Sequence, residues 1–244
     1  MALAIFLLVP PIPQDPAYHL FADSRIVFGI PNFWNVASNL PFLVVGAWGM
    51  LFVFRDGHAV CAPGLELAYF VFFAGIFLTA FGSSYYHLGP GNDPLVWDRL
   101  PMTIGFAGLF SIIVGEFLSP RIGRAILIPL LLAGALSVEY WAFTEARGAG
   151  DLRAYVLFQF LPLLLIPLIL IFRSPVIGAP RYYWMMLLCY VLAKIAEFLD
   201  AGIFGIGGVI SGHSLKHVLA AIAAAFVLYG LLQRRQPATA ANDG

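Results

Sequence analysis

Long apolar stretches separated by short polar breaks dominate the chain. A helix that crosses the hydrocarbon core of a bilayer needs roughly 20 mostly apolar residues, and seven stretches reach that length. They are residues 33–54, 65–87, 96–117, 121–142, 153–173, 181–203 and 209–232. The breaks between them are rich in Gly, Pro and charge, as in Gly89-Pro90-Gly91-Asn92. The pattern predicts an all-α membrane protein, a single domain built as a bundle of seven transmembrane helices.

The two ends of the chain differ from these spans. The opening MALAIFLLV is too short to span and is followed by Pro10, Pro11 and Pro13. It also lacks the positive flank of a signal peptide, so residues 1–32 are expected to form an interfacial segment. Residues 234–244 are polar and are expected to form a solvated tail.

Composition supports a membrane location. Hydrophobic residues make up 61% of the chain and charged residues 11%, whereas a soluble domain carries about 25% charged residues. The net charge is zero, so nucleic acid is not expected as a partner, and the lipid bilayer is. Cys61 and Cys189 predict no disulfide framework.

The distribution of arginines predicts the orientation. Between the spans, seven arginines fall on the side of the C-terminus and three on the side of the N-terminus. The first group is Arg55, Arg121, Arg124, Arg173, Arg181, Arg234 and Arg235, and the second is Arg25, Arg147 and Arg153. The excess predicts an N-terminus outside and a C-terminus in the cytoplasm.

Three of the five histidines are predicted to lie at one depth. His87 ends the second span on the outer side, and the last span begins there with His213 and His217. Two histidines four residues apart share one helix face, and ionisable groups in hydrocarbon are functional candidates by default. Three histidines with one open position form a catalytic type of zinc site. The other two, His19 and His58, are expected in loops at the surface.

Ser83 and Asp98 are the candidate catalytic residues beside this site. Ser83 lies one turn before His87 and can donate to an oxyanion. Asp98 opens the third span and can move a proton between water and a leaving amine. The alternative for Asp98 is an orienting hydrogen bond to a ligand histidine. Zinc lowers the pKa of bound water to about 7, so these residues predict hydrolysis of an amide, with a membrane lipid as substrate.

Further polar residues lie in the same half of the predicted bundle. They are Asn35, Ser38 and Asn39 in the first span, and Lys194, Glu197 and Asp200 at the end of the sixth. A polar stripe such as the first must face the bundle interior, where helix-to-helix hydrogen bonding is the preferred interpretation. Lys194 and Glu197 are three residues apart and can neutralise each other. The candidates for a shell around the site are Asn35, Asn39, Lys194, Glu197 and Asp200.

The set Ser83-x3-His87, Asp98 and His213-x3-His217, together with the segment FWNVASNL, resembles the CREST superfamily of seven-span hydrolases. It is most similar to the alkaline ceramidase branch and its bacterial members, over residues 19–232. The resemblance implies a zinc ion on the three histidines with water as fourth ligand, and catalytic roles for Ser83 and Asp98. It also implies a role for Asp200, ceramide or a related N-acyl lipid as substrate, and a bacterial inner membrane as location.

Eukaryotic alkaline ceramidases also hold a calcium ion, through an acidic N-terminal segment and a glutamate before the FWN motif. Here Asn32 stands at the position of that glutamate, and the segment HLFADSR offers Asp23. Asp23 and Asn32 are therefore the candidate calcium ligands. This set departs from the family pattern, which puts calcium binding in doubt.

Two other classes of protein compete with the hydrolase. A seven-span retinal protein would use Lys216 in the last span and the many aromatic residues. Against it, Lys216 lies in the first turns of its helix and three histidines at one depth would have no role. A receptor or transporter with a structural zinc is the other alternative, in which Asp98 would be a fourth ligand.

Overall fold

The computed structural model describes residue 6 and residues 8–234. Most of the first seven residues, and the predicted tail from residue 235 onwards, lie outside this part. Within it the chain forms helices and no β-strand. A 3-10 helix, Pro16–His19, precedes the α-helices. These are α1 (Phe33–Ala37), α2 (Leu40–Val60), α3 (Glu66–Leu88), α4 (Asn92–Phe117), α5 (Pro120–Glu145), α6 (Arg153–Phe172), α7 (Arg181–Phe198), α8 (Asp200–Gly207) and α9 (Gly212–Leu232).

Six helical segments are long and apolar enough to cross a membrane by length and composition. They are α1 with α2, then α3, α4, α5, α6 and α9. The sixth predicted span, α7, is not among them: it has 18 residues, fewer than any of the six, and carries three charged side chains within that length. The predicted fold class, an all-α membrane bundle, is confirmed.

The helix boundaries differ from the predicted spans in two places. The first span is divided between α1 and α2, because Pro41 has no N–H to donate to Ala37 and interrupts the helix. Helix α2 then continues past Arg55 and Asp56 to Val60, so these two charged residues do not end the helix. The sixth span ends at Phe198, and the short helix α8 follows it as far as Gly208, whose φ of 62° ends that helix.

Helix α4 is the most buried of the six and forms the centre of the bundle. It packs along α3 on one side and α5 on the other, α2 packs on α3, and α9 packs along α7 and also contacts α2. A Cβ on Gly75 would lie 2.3 Å from the backbone nitrogen of Gly105. Small residues are therefore what allows α3 and α4 to approach so closely. This contact fixes the end of α3 relative to the start of α4.

A buried ion pair closes the end of the bundle where α3 begins. Glu116 has no exposed surface, and its Oε2 accepts from Arg234 Nη2 at 2.8 Å. The hydroxyls of Tyr69 and Tyr183 donate to the same carboxylate at 2.6 and 3.0 Å. A buried charge is tolerated when it is paired and fully hydrogen-bonded. The chain after α9 is thus tied to α3, α4 and α7.

Candidate metal centre

The three predicted histidines meet at the other end of the bundle. His87 lies in the last turn of α3, and His213 and His217 lie in the first two turns of α9. All three are at least 95% buried. One ligand nitrogen from each lies within 4.8 Å of the other two. Among the described residues, no other group of three or more His, Cys, Asp or Glu side chains is arranged in this way.

The spacing of the triad fits a metal ion. The Nε2 atoms of His87 and His213 are 3.3 Å apart. Two nitrogens bonded to one tetrahedral zinc at about 2.0–2.1 Å are separated by about 3.3 Å. The triad could therefore hold a metal ion, with three protein ligands.

Ser38 determines which nitrogen of His217 is available to a metal. The Ser38 hydroxyl donates to the Asn35 carbonyl at 3.2 Å and lies 2.8 Å from His217 Nδ1. Because that hydroxyl's proton is already used, it accepts from Nδ1–H of His217. The lone pair of this imidazole is then on Nε2, on the other side of the ring. Ser38 was recognised in the sequence as part of a polar stripe, but this contact with a ligand was not.

The other two histidines are held through their backbone. The His87 carbonyl accepts from Asn32 Nδ2 at 2.9 Å. The His213 N–H donates to Asp200 Oδ1 at 2.7 Å, and Asp200 Oδ2 accepts from the Ala22 N–H at 2.9 Å. Asp200 thus satisfies a free N–H at the start of α9 and ties that helix to the N-terminal segment.

The N-terminal segment covers the triad. The ring of Phe21 packs on His87 and His213, with centroids 4.7 and 4.4 Å apart. His19, which was expected in a surface loop, lies in the 3-10 helix and is partly buried. Its Nδ1 is 2.9 Å from the Tyr86 hydroxyl and its Nε2 is 2.9 Å from Asn92 Oδ1. These contacts across the chain explain why a residue that looked like part of a loop is half-buried.

The polar stripe of the first span faces α9. Asn35 is fully buried, and its Oδ1 accepts from the Ser214 hydroxyl at 2.7 Å. Asn39 Nδ2 donates to the Asn35 carbonyl at 2.9 Å. Asn35 therefore makes the helix-to-helix hydrogen bond that the sequence favoured, and it supports α9 between the two ligand histidines.

Ser83 and Asp98 lie together beside the triad. Both are buried, and the Ser83 side chain of α3 faces the Asp98 carboxylate of α4. They line a cavity of about 450 Å³ together with His217. The carboxylate of Asp98 does not belong to the group of ligand atoms that the three histidines form.

The cavity has a polar end and an apolar remainder. Ser83, Asp98 and His217 lie at the polar end, and side chains such as Phe72, Leu109 and Ala224 line the part nearer the middle of α3, α4 and α9. Its volume is in the range of small-molecule sites, which are concave and mostly apolar with a few polar groups. Such a shape suits an elongated ligand with one polar end.

Three charged side chains of α7 and α9 border the same cavity. Glu197 accepts from Lys216 at 3.0 Å through Oε1 and from Lys194 through Oε2. The predicted pairing of Lys194 with Glu197 is present, and Lys216 shares it. The three side chains together carry one positive charge in excess.

The two candidate calcium ligands have protein partners. Asp23 accepts from Arg25 through both oxygens, at 2.8 and 2.6 Å, and these hydrogen bonds hold the pKa of its carboxyl below the usual range. Asn32 donates to the carbonyl of His87. His58, which was expected in a surface loop, is exposed but lies in the last turn of α2, where its Nδ1 is 3.4 Å from Glu66 Oε1.

No protein-family model matches this chain, and no curated protein does. The geometry of the site therefore carries the functional argument. Three buried imidazoles that could hold a metal ion lie close to a hydroxyl, a carboxylate and a mostly apolar cavity.

Proposed function

We propose that this protein is a zinc-dependent amide hydrolase that acts within the membrane. Its substrate is ceramide or a related N-acyl lipid, and its products are a fatty acid and an amine. One observation carries the proposal: three buried histidine nitrogens lie within 4.8 Å of one another, and one of these histidines, His217, lines a mostly apolar cavity together with Ser83 and Asp98.

We infer that the metal is zinc. Imidazole ligands suit zinc, copper, iron and nickel, and three histidines with one open position are an arrangement of catalytic zinc sites. When bound, zinc lowers the pKa of a coordinated water to about 7 and so supplies a nucleophile at neutral pH.

Ser83 and Asp98 supply the rest of the chemistry. As negative charge develops on the substrate carbonyl oxygen, the Ser83 hydroxyl donates a hydrogen bond to it. Asp98 accepts the proton that water loses and returns it to the nitrogen that leaves. The amide C–N bond breaks, a C–O bond forms, and the amine carries the proton away. Both side chains line the cavity, where they would meet the amide of a bound substrate.

The shape of the cavity supports an N-acyl lipid as substrate. An acyl chain fits the apolar part between α3, α4 and α9, and the amide then lies at the polar end beside the histidines. A soluble peptide has no group to fill the apolar part, so we expect peptides to be poor substrates.

Two observations weigh against the competing classes. A closed structural zinc site needs a fourth protein ligand, and Asp98 is not among the grouped ligand atoms. A retinal protein needs a free lysine near mid-membrane, whereas Lys216 lies in the second turn of α9 and is paired with Glu197 at 3.0 Å. The proposed hydrolase requires neither a fourth protein ligand nor a free lysine.

The proposal includes an orientation with the N-terminus outside and the C-terminus in the cytoplasm of a bacterial inner membrane. The arginine distribution supports it. Cysteine labelling of the loop around Gly91 in intact cells checks it, and labelling from the cytoplasmic side only would contradict it.

Hydrolysis of N-acyl lipids by the purified protein in proteoliposomes tests the proposed function. Ser83→Ala is expected to keep its zinc and to lose rate by about 10²–10³-fold, the usual cost of one oxyanion donor. Asp98→Asn is expected to keep zinc and lose more rate. The matched controls are Ser137→Ala, a buried serine outside the cavity, and the exposed Asp93→Asn.

Three results would contradict the proposal. They are the absence of hydrolysis of any N-acyl lipid by the zinc-loaded protein, an unchanged rate in Ser83→Ala, and a preference for soluble peptides. If either variant lost its zinc, that residue would be a metal ligand and its proposed role would be wrong.

A further inference from the structure

Arg99 is a buried cation without a carboxylate partner. Its side chain is in α4, only 5% of the residue is exposed, and it lines the cavity. Among the described residues it forms no ion pair, and its Nη1 is buried without a hydrogen-bond partner. Its Nη2 donates to Gln14 Oε1 at 2.6 Å. Since buried charges are normally paired, this guanidinium lacks an anion.

Aromatic rings hold the guanidinium in place. Its carbon lies 4.1 Å from the ring centroid of Trp141 and 4.7 Å from that of Tyr155. Such contacts stabilise a cation, but a ring face offers no acceptor oxygen for Nη1. The arrangement positions a planar, two-donor group of the kind that binds carboxylates.

The position of Arg99 separates it from the reacting atoms. Consecutive residues on a helix point about 100° apart. Asp98 faces Ser83, and Arg99 faces Trp141 of α5 and Tyr155 of α6. A ligand group at Arg99 is therefore displaced sideways from an amide held beside Ser83, while both lie at the polar end of the cavity.

The charged residues that line the cavity balance one another: Arg99, Lys194 and Lys216 are cationic, and Asp15, Asp98 and Glu197 are acidic. Their pairing is uneven. Glu197 binds both Lys194 and Lys216, and the exposed Asp15 accepts from the Ala17 N–H. Arg99 is the cation of this lining that forms no ion pair among the described residues.

We propose that Arg99 binds the carboxylate of the substrate head group, so that the preferred substrates are N-acyl amino acids. In these lipids one carbon separates the carboxylate from the amide nitrogen, which matches a cation placed beside the reacting group. This inference rests on the proposed function and narrows its substrate class. Water adds across the amide C–N bond, and the products are a fatty acid and a free amino acid.

Binding of two matched probes tests this subsite without depending on turnover. The probes are N-dodecanoylglycine and its neutral methylamide, and the protein is Ser83→Ala, in which hydrolysis is slow. We expect the acid to bind about 10- to 100-fold more tightly, the effect of a charged hydrogen bond. Arg99→Gln should remove this preference and change methylamide binding less than about threefold. Arg99→Lys should keep part of it, and the exposed Arg147→Gln should keep it fully.

Zinc content and thermal unfolding establish that the Arg99 variants fold. If Arg99→Gln does not fold, two other results test the inference. They are the preference of the Ser83→Ala parent for the acid over the methylamide, and the part of this preference that Arg99→Lys keeps. Equal affinities for acid and methylamide overturn the inference. The inference is also overturned if Arg99→Gln weakens the binding of dodecanoate but not that of N-dodecanoylglycine. Arg99 would then bind the carboxylate of the fatty acid product.

The two proposals fail separately in this experiment. A protein that hydrolyses neutral N-acyl lipids but binds the acid no more tightly contradicts the inference alone. A protein that binds the acid preferentially through Arg99 but hydrolyses no N-acyl lipid contradicts the proposed function alone.

Discussion

The hydroxyl of Ser38 joins the backbone of the first span to His217, a proposed metal ligand. It donates to the Asn35 carbonyl and accepts from His217 Nδ1. Partners of this type fix the tautomer of a ligand histidine, and their loss typically weakens metal binding by 10- to 100-fold. Ser38 lies in the turn between α1 and α2, so a substitution of Ser38 alters its contact with His217 directly.

We therefore expect Ser38→Ala to weaken zinc binding by about 10- to 100-fold. Competition with a chelator of known affinity measures this. Ser111→Ala is the matched control, because the Ser111 hydroxyl also donates to a backbone carbonyl, that of Gly123, away from the triad. Equal zinc affinity for Ser38→Ala and the unmutated protein would remove Ser38 from the site.

The sequence could predict the residues with distinctive chemistry and spacing. His213 and His217 are four apart, and the topology places His87 at the same end, so the triad follows from pattern alone. Ser38 and Arg99 could not be identified in this way. The role of each depends on contacts with distant parts of the chain. Ser38 contacts His217, 179 positions away, and Arg99 contacts Gln14, 85 positions away.

At the scale of the elements, the entry of α9 determines where two ligands lie. Gly212 comes directly before His213, and a Cβ there would lie 2.1 Å from the Ala196 carbonyl oxygen and 2.7 Å from Asp200 Cα. Both are backbone atoms of α7 and α8, which cannot rotate away as a side chain can. The absence of a side chain thus allows α9 to start against α7.

Gly212→Ala is expected to displace the first turn of α9 and with it His213. The variant should bind less zinc and unfold at a lower temperature. Gly202→Ala is the control, since Gly202 is also helical and a Cβ there meets nothing within 4 Å. Zinc content and thermal unfolding equal to those of the control would show that α9 tolerates the displacement.

The spans were predictable because a bilayer imposes a length and a composition on each helix. Their ends were less so. The division between α1 and α2 depends on Pro41. Proline interrupts a helix, whereas membrane burial of the apolar stretch around it favours a continuous one. The N-terminal segment was predicted to be interfacial, and that stays a prediction. Its packing over the triad through Phe21 depends on contacts that local sequence does not encode.

The whole molecule places different polar groups at its two ends. One end holds the histidine triad, and the other holds the buried pair of Glu116 and Arg234. The cavity extends from the triad into the apolar interior between them. This arrangement fits a lipid that enters from the bilayer with its acyl chain directed towards the middle of the membrane.

The zinc content of purified protein tests the central claim most directly. The account predicts about one zinc ion per chain, with most of it lost in each of His87→Ala, His213→Ala and His217→Ala. His58→Ala, an exposed histidine paired with Glu66, should keep it. Metal analysis of each variant after gel filtration gives the answer. Full zinc occupancy in all three triad variants, or none in the unmutated protein after zinc loading, would contradict the account.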